Sequence, residues 1–255
     1  MAEGAAHERL EDRTAARTVP ARAPSSALSH NLNGQRLGRK GRDTRDRIIA
    51  AAQAILSDPS EDTLITLSEV ARQASLRMST IYLYFADLTE LVLAILEPIM
   101  ATADEEYIHL LRDPWPDADL GERALAFVRA YYAFWVKHAP VLHLRNNMGD
   151  RGDERLMRHR VGAAIPVMRL IAGQMAPGEA YQHGTITSST ATALMTGLER
   201  VGTVMSGSKL PFVLLGQPSN PLHLLLQAEA RLFELAIRDQ RQQAGVSIRA
   251  TGGVL

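Results

Sequence analysis

Residues 67–91 read LSEVARQASLRMSTIYLYFADLTEL, and their reading decides the fold. Thr66, just ahead of them, stands three residues before Glu69. That is the spacing of a capping box, in which a hydroxyl and a carboxylate each take a free backbone N–H at a helix start. Leu67, Val70, Ala71 and Ala74 follow helical spacing and make one apolar face. Ser75, Leu76 and Arg77 then allow a turn. Ile81 and Phe85 lie four apart, so both point into the same small core. Asp87 and Glu90 offer a second capping pair, opening a helix through Leu88, Leu91, Val92, Ile95 and Ile99. The stretch therefore reads as two short helices joined by a tight turn, followed by the start of a third.

The second of these helices is crowded with groups that can touch DNA: Arg77, Met78, Ser79, Thr80, Tyr82 and Tyr84. An α-helix fits the major groove, where each base pair shows a distinct pattern of donors and acceptors. A helix-turn-helix presents the N-terminal part of its second helix to those base edges, here Arg77 to Tyr82. Arg77, Ser79, Thr80 and Leu83 are the base-side candidates, Leu83 through apolar contact with a thymine methyl. Arg45, Thr66, Tyr82 and Tyr84 are placed for phosphates. The competing reading is a surface helix of an ordinary bundle whose polar side chains face water. Spacing alone does not separate the two.

The surroundings favour DNA. Upstream, the run TRDRIIAAA at 44–52 opens a helix with Ile48, Ile49, Ala52, Ile55 and Leu56 on one side. The chain of 255 residues carries 28 Lys plus Arg against 28 Asp plus Glu, so net charge says nothing about nucleic acid. The distribution does: Arg36, Arg39, Lys40, Arg42, Arg45 and Arg47 cluster against only Asp43 and Asp46 just before the reading head. Residues 1–42 are rich in Ala, Arg, Ser, Pro and Gly without apolar periodicity and are expected to form a disordered basic arm. Such an arm can enter the minor groove, with Arg36, Arg39, Lys40 and Arg42 as its contacts; a plain solvated tail is the alternative.

Other classes find little support. With no Cys there is no disulfide framework, thiolate metal site or Cys nucleophile. No apolar run is long enough for a membrane span and the N-terminus has no apolar signal core, so a cytoplasmic protein is expected. Glu106-Tyr107-Ile108-His109 is one half of a carboxylate di-iron motif, but the second half is missing. There is no Gly-rich phosphate loop, zinc-type His spacing or Ser nucleophile elbow. The chain is expected not to be an enzyme and to use no cofactor or metal.

Beyond Leu91 the pattern is helical. A fourth helix containing Pro98 is expected to run to about Arg112, and DPWPD at 113–117 breaks the chain. A helix from about Ala118 to His138 follows, ended by Pro140, with a short helix at Val141 to Arg145 and a loop at Gly149 to Gly152. Further helices are expected over about 153–175, 185–206 and 221–242, the first of these with Pro166 inside it. Met148, Met157, Met168 and Met175, with Phe127, Tyr131, Phe134 and Trp135, suit an adaptable apolar cavity. They suit a filled core equally well. His143, Arg145, Asn146 and Asn147 are polar groups between two apolar helices and, if buried, must find partners.

The run from Thr44 to Leu96 resembles the DNA-binding domain of the tetracycline-repressor (TetR) family of bacterial transcription regulators. Ser79-Thr80-Ile81-Tyr82-Leu83-Tyr84-Phe85 with Asp87 and Glu90-Leu91 carries most of the likeness. Two departures stand out: Ser75 where the family usually has a turn Gly, and Leu88 where it often has a phosphate-binding Lys. Leu144-Arg145-Asn146 through Gly152-Asp153 is similar to a segment that lies beside the ligand cavity in members of the family. The resemblance implies an all-α chain. It would comprise a three-helix helix-turn-helix domain (43–90), a ligand-binding and dimerisation domain (91–244) and a disordered tail (245–255). It implies a homodimer through helices 185–206 and 221–242, a palindromic operator in double-stranded DNA, and an effector of small, largely apolar type. Phe127, Tyr131, Trp135, His143, Arg145, Asn146 and Met168 are then the effector-side residues. An all-helical small-molecule carrier and a ligand-independent architectural DNA binder are the alternatives.

Overall fold

The computed structural model describes residues 36–57, 65–207 and 222–249. These residues are all-helical, with no strand among them. The helices are α1 (Arg39–Leu56), α2 (Leu67–Gln73), α3 (Met78–Ile81), α4 (Leu88–Ala101), α5 (Ala103–Glu106), α6 (Leu120–Asp150), α7 (Glu154–Met175), α8 (Ile186–Met205) and α9 (Leu222–Ala244). A short 3-10 turn at Ile108–Leu111 joins α5 to the approach to α6.

Local chemistry sets the N-terminal helices. At α2 the Thr66 hydroxyl accepts from the Glu69 N–H at 3.2 Å, and the Glu69 carboxylate accepts from the Thr66 N–H at 2.9 Å. At its other end the Leu76 N–H reaches the Ala71 carbonyl at 2.9 Å and the Ser75 N–H reaches Arg72 at 3.1 Å. These two bonds make a Schellman stop, whose pivot residue is left-handed and usually Gly. Here the pivot is Ser75, at φ 52°. Helices α1 to α4 close on Ile48, Ala52, Val70, Ile81 and Phe85, all essentially without solvent contact.

The basic arm is shorter than expected. Arg39, Lys40 and Arg42 lie in the first turn of α1, not in a disordered segment, because α1 already begins at Arg39. Arg42 is tied back through Nη1 to the Leu37 carbonyl at 3.1 Å. Residues 1–35 lie outside the described residues.

Helix α4 joins head to body. Its N-cap Asp87 accepts from Glu90 N–H at 2.9 Å, while Glu90 reaches one residue further back, to the Ala86 N–H at 2.7 Å. Leu91, Val92, Ile95 and Leu96 are fully buried, and one apolar core runs continuously from Ile48 to Ile237. The boundary expected after residue 90 thus falls in the first turn of α4. The helix stops at Ala101 instead of running to Arg112. Tyr107, with φ −150° and ψ −28°, turns the chain and buries its ring edge-on against Tyr131 at 5.1 Å.

Pro140 lies inside α6. It does not end its helix; α6 runs on to Asp150 across a kink at His138, where φ is −117° and ψ is 16°. Pro140 then sits in the first turn of the new segment, where a missing N–H costs nothing. The bend lets both halves of α6 face the core, and the loop expected at 149–152 shrinks to the turn Arg151-Gly152. Close approach of α8 to α6 rests on Gly202, where a Cβ would come within 2.8 Å of the Trp135 ring.

The tail, expected to be disordered from residue 245, is seated as far as residue 249. Residues 246–249 return to the DPWPD segment, where Asp117 accepts from the Ser247 hydroxyl at 2.7 Å and the Ile248 N–H at 3.0 Å. Beside it Arg241, 2% exposed, donates to the carbonyls of Gln174 and Trp115 and to Asp117 Oδ1 at 2.6 Å.

Candidate functional site

Two sets of residues stand apart from ordinary packing, one outside and one inside. The outer set lies on α3 and the turn after it. Arg77 is the N-cap of α3, and the helical course continues past Ile81 through N–H bonds from Leu83 to Thr80 and from Tyr84 to Ile81. Ile81 and Phe85 face inward and are buried, as their spacing predicts. Arg77 and Ser79 are exposed and Thr80 is half-buried. Tyr82 is 52% and Leu83 42% exposed, so the core leaves two large side chains in water on the same short element. Tyr84 is half-buried and packs against the core with its ring. Thr66 is exposed, with its hydroxyl engaged by Glu69 at 2.9 Å.

Of the basic candidates, Arg36, Arg39, Lys40 and Arg42 are exposed. Arg45 is different: it is buried, with its guanidinium over the Phe85 ring at 5.3 Å. A cation held against an aromatic face is a packing element, so the phosphate role expected for Arg45 is replaced by support of Phe85.

The inner set lies where α4, α6, α7 and α8 meet. In place of the expected adaptable apolar cavity there is a void of about 20 Å³, room for about one water. Tyr131, Trp135 and Arg145 line it. Phe127 does not; it is core, packed on Phe233 at 5.6 Å. His143 turns away to Ser206, Nε2 to Oγ at 3.0 Å. Met168 and Met148 pack against the core and Met175 is inside it, while Met157 faces solvent.

Arg145 and Asn146 are both buried, and their partner is a residue the sequence reading did not single out, Glu199. Arg160 Nε and Nη2 grip its carboxylate with three contacts of 3.0, 3.2 and 3.1 Å. Arg145 Nη2 and Asn146 Nδ2 each reach Oε1 at 3.2 Å, and Arg145 Nε donates to Asn146 Oδ1 at 2.9 Å. The signal for Glu199 was present: it is the only acidic residue of α8. Burial pulls the Arg145 guanidinium below its usual value despite Glu199. Burial also acts on Arg160, but the bonds to Glu199 and Asp150 outweigh it and raise its value. Tyr107, in the same wall, is pushed up to about 12 by burial. His159, adjoining, is pushed down to about 4 by burial and by the charge of Arg145.

The lone Glu-x-x-His pair does not converge. Glu106 accepts from Lys137 at 2.8 Å and Thr102 at 2.7 Å, whereas His109 faces the Asp104 carbonyl. Among the described residues no three metal-binding side chains gather, and no helix is long and apolar enough to cross a membrane. No protein-family model and no curated protein sequence matches the chain.

Proposed function

We propose that the chain is a TetR-like, non-enzymatic regulator that reads double-stranded DNA through α3. The observation that carries this is the α3 surface: Tyr82 and Leu83 are left in water beside exposed Arg77 and Ser79 on an element braced from below by Ile81 and Phe85. Exposed aromatic and apolar side chains next to a cation suit base edges and phosphates better than they suit water. Arg77, Ser79, Thr80 and Leu83 read bases; Tyr82 and Tyr84 hold the backbone, with Arg36, Arg39, Lys40 and Arg42 adding charge, while Thr66, whose hydroxyl is engaged by Glu69, fixes the start of α2.

A palindromic site needs two heads about 34 Å apart, hence a homodimer. Ile186 on α8 and Leu224, Leu232 and Leu235 on α9 are exposed apolar side chains, and pairing of these helices between two copies would cover them. The reading includes release by a small effector bound at the inner cluster, through a shift between two spacings of the heads. A complete swing requires a preference of about 5.5 kcal/mol between the two states.

The test is selection of bound fragments from a random DNA pool at physiological salt. An enriched palindrome is expected, with Thr80→Ala altering base preference and Tyr82→Phe weakening all sequences alike. Absence of any enriched motif, with binding abolished by added salt, would overturn the reading in favour of a helical carrier.

A further inference from the structure

Four charged side chains are buried among the described residues, and three of them have partners. Arg45 lies over the Phe85 ring, Arg145 meets Glu199 and Asn146, and Arg241 meets Asp117 and two backbone carbonyls. The fourth is Glu229 on α9, 7% exposed, with no hydrogen bond or ion pair among the described residues. Burial alone acts on its carboxyl and lifts it above its usual value. A buried carboxylate without a partner is costly, so this exception needs a cause.

Glu229 sits where α8, α9 and the outer surface meet. Its Oε1 lies against Gly197 of α8, 3.1 Å from where a Cβ would stand. Leu232, one turn further along α9, is 54% exposed. On α8, Ala193 and Arg200 are both exposed. They stand four residues before and three after Gly197, the spacing of neighbours on one helix face. Arg200 has no ion pair or hydrogen bond among the described residues either. The outer face of α8 and α9 thus carries a carboxylate that lacks a cation and a cation that lacks a carboxylate. They lie about one turn apart and are not bonded to each other.

We propose that in the homodimer Arg200 of each chain pairs with the partner's Glu229. The inference rests on the homodimer of the regulator reading and names the contact that sets its register. In a twofold contact residue i meets j and j meets i, so one unpaired carboxylate and one unpaired cation per chain give two ion pairs per dimer. The rest of the face is apolar, and Ile186, Leu232 and Leu235 attract a second copy without direction. A charged pair in such a seam works against slipped registers, because a slip leaves both carboxylates buried and unpaired.

The experiment is sedimentation of the full chain, without DNA, at neutral pH over a range of concentrations. Wild type is expected to dimerise. Arg200→Ala changes an exposed side chain and should raise the dimer dissociation constant about 10- to 100-fold, the weight of a charged hydrogen-bonded contact. Arg200→Glu and Glu229→Lys should each weaken the dimer further when alone and restore it when mixed, because opposite charges then meet at both contacts. A pair formed within one chain gains nothing from mixing. Circular dichroism shows whether Glu229→Lys has folded. If it has not, Glu229→Gln decides: in its background Arg200→Ala should have almost no further effect. A dimer indifferent to Arg200→Ala, single variants that mixing does not rescue, or an undiminished effect of Arg200→Ala in Glu229→Gln overturns the proposal. Indifference to Arg200→Ala in a chain that still dimerises removes only the ion pair, and a monomeric wild type removes the homodimer with it. DNA selection on the same preparation tests the regulator separately, since a dimer held by this pair without an enriched motif removes that reading alone.

Discussion

The head and the body of this molecule solve the problem of polar side chains in opposite ways. In the head, polar groups are spent at helix ends and on the surface, and the interior is apolar, with Arg45 against Phe85 as its one buried cation among the described residues. In the body, whole guanidiniums are taken inside: Arg145 with Asn146 and Glu199, and Arg241 with Asp117 and two backbone carbonyls. An apolar interior is held by many small, direction-free contacts and tolerates approximate geometry. A buried ionic cluster depends on each partner, so the loss of one has a large effect. The head is thereby suited to keeping one shape, and the body to responding to a change of charge.

The largest effect is expected at Arg241. Arg241→Leu removes the donor to Asp117, Trp115 and Gln174 and is expected to cost about 2–5 kcal/mol, chiefly through the two carbonyls left unpaired, at about 1–3 kcal/mol each. In the head, Phe85→Ala is expected to cost a similar amount, about 3–5 kcal/mol, through a cavity. The two differ in what repairs them. Adding Asp117→Asn should recover part of the Arg241→Leu loss, since the stranded charge is gone. No surface change should recover Phe85→Ala. Urea unfolding of the single and double variants measures both, and equal behaviour would erase the distinction drawn between the regions.

The body should also be the pH-sensitive half. His159 is held down to about 4 by burial and by Arg145, whereas an unfolded histidine titrates near 6.5. As pH falls, the unfolded chain takes up this proton first. The contribution of His159 is therefore full above about pH 6.5 and is lost progressively down to about pH 4. With the partial access of the ring to water discounted, the loss is about 2 kcal/mol. His159→Gln should flatten stability over that window, and variants of the head should not; an unchanged pH profile for His159→Gln would locate the acid sensitivity elsewhere.

Between the regions lies a latch made of two helix caps. Asp87, the N-cap of α4, pairs with Arg155 of α7 at 2.7 Å, and Asp153, the N-cap of α7, accepts from the buried Thr89 hydroxyl. Burial of Asp153 opposes its ionisation, but bonds from Thr89 and from the Leu156 and Arg155 N–H groups outweigh it and hold the carboxyl below its usual range. Its contribution is present above about pH 4 and lost as pH falls further. Thr89→Val is expected to cost about 1–2 kcal/mol and to split unfolding into separate head and body steps. A single sharp transition in Thr89→Val would show that the continuous apolar core, with the Asp87–Arg155 pair, couples the two without this bond.

What was legible in the sequence follows the same division. The head was readable because its signals are local: Thr66 with Glu69, Asp87 with Glu90, and the four-residue step from Ile81 to Phe85. Arg45 was misread because a phosphate role and a place over Phe85 look alike until the tertiary contact is known. In the body, Pro140 reads locally as a stop, and only packing on both sides of His138 turns it into a kink. Glu199 meets partners 54 and 39 residues away, so no short-range pattern displays the cluster. Arg241 was available to a stricter reading, since it continues the buried stripe Leu226, Ala230, Phe233, Ile237 along α9.

The smallest effect is expected in the head. Ser75 is the only non-glycine residue with positive φ among the described residues, at 52°, and it makes the pivot between α2 and α3. A side chain in that region crowds the neighbouring carbonyl and costs about 1–2 kcal/mol, which glycine avoids while losing some entropy on folding. Nothing stands in the way of the exchange, because Ser75 is exposed and its backbone bond to Arg72 needs no side chain. Ser75→Gly is therefore expected to stabilise the protein by about 0.5–1 kcal/mol, and Ser75→Val to destabilise it by more than that. If α3 reads DNA as proposed, affinity should stay level in Ser75→Gly, because the Schellman bonds that aim α3 are kept. A thermal melt beside a binding titration reads both quantities, and a loss of affinity with a gain in stability would mean that strain at this turn takes part in docking α3.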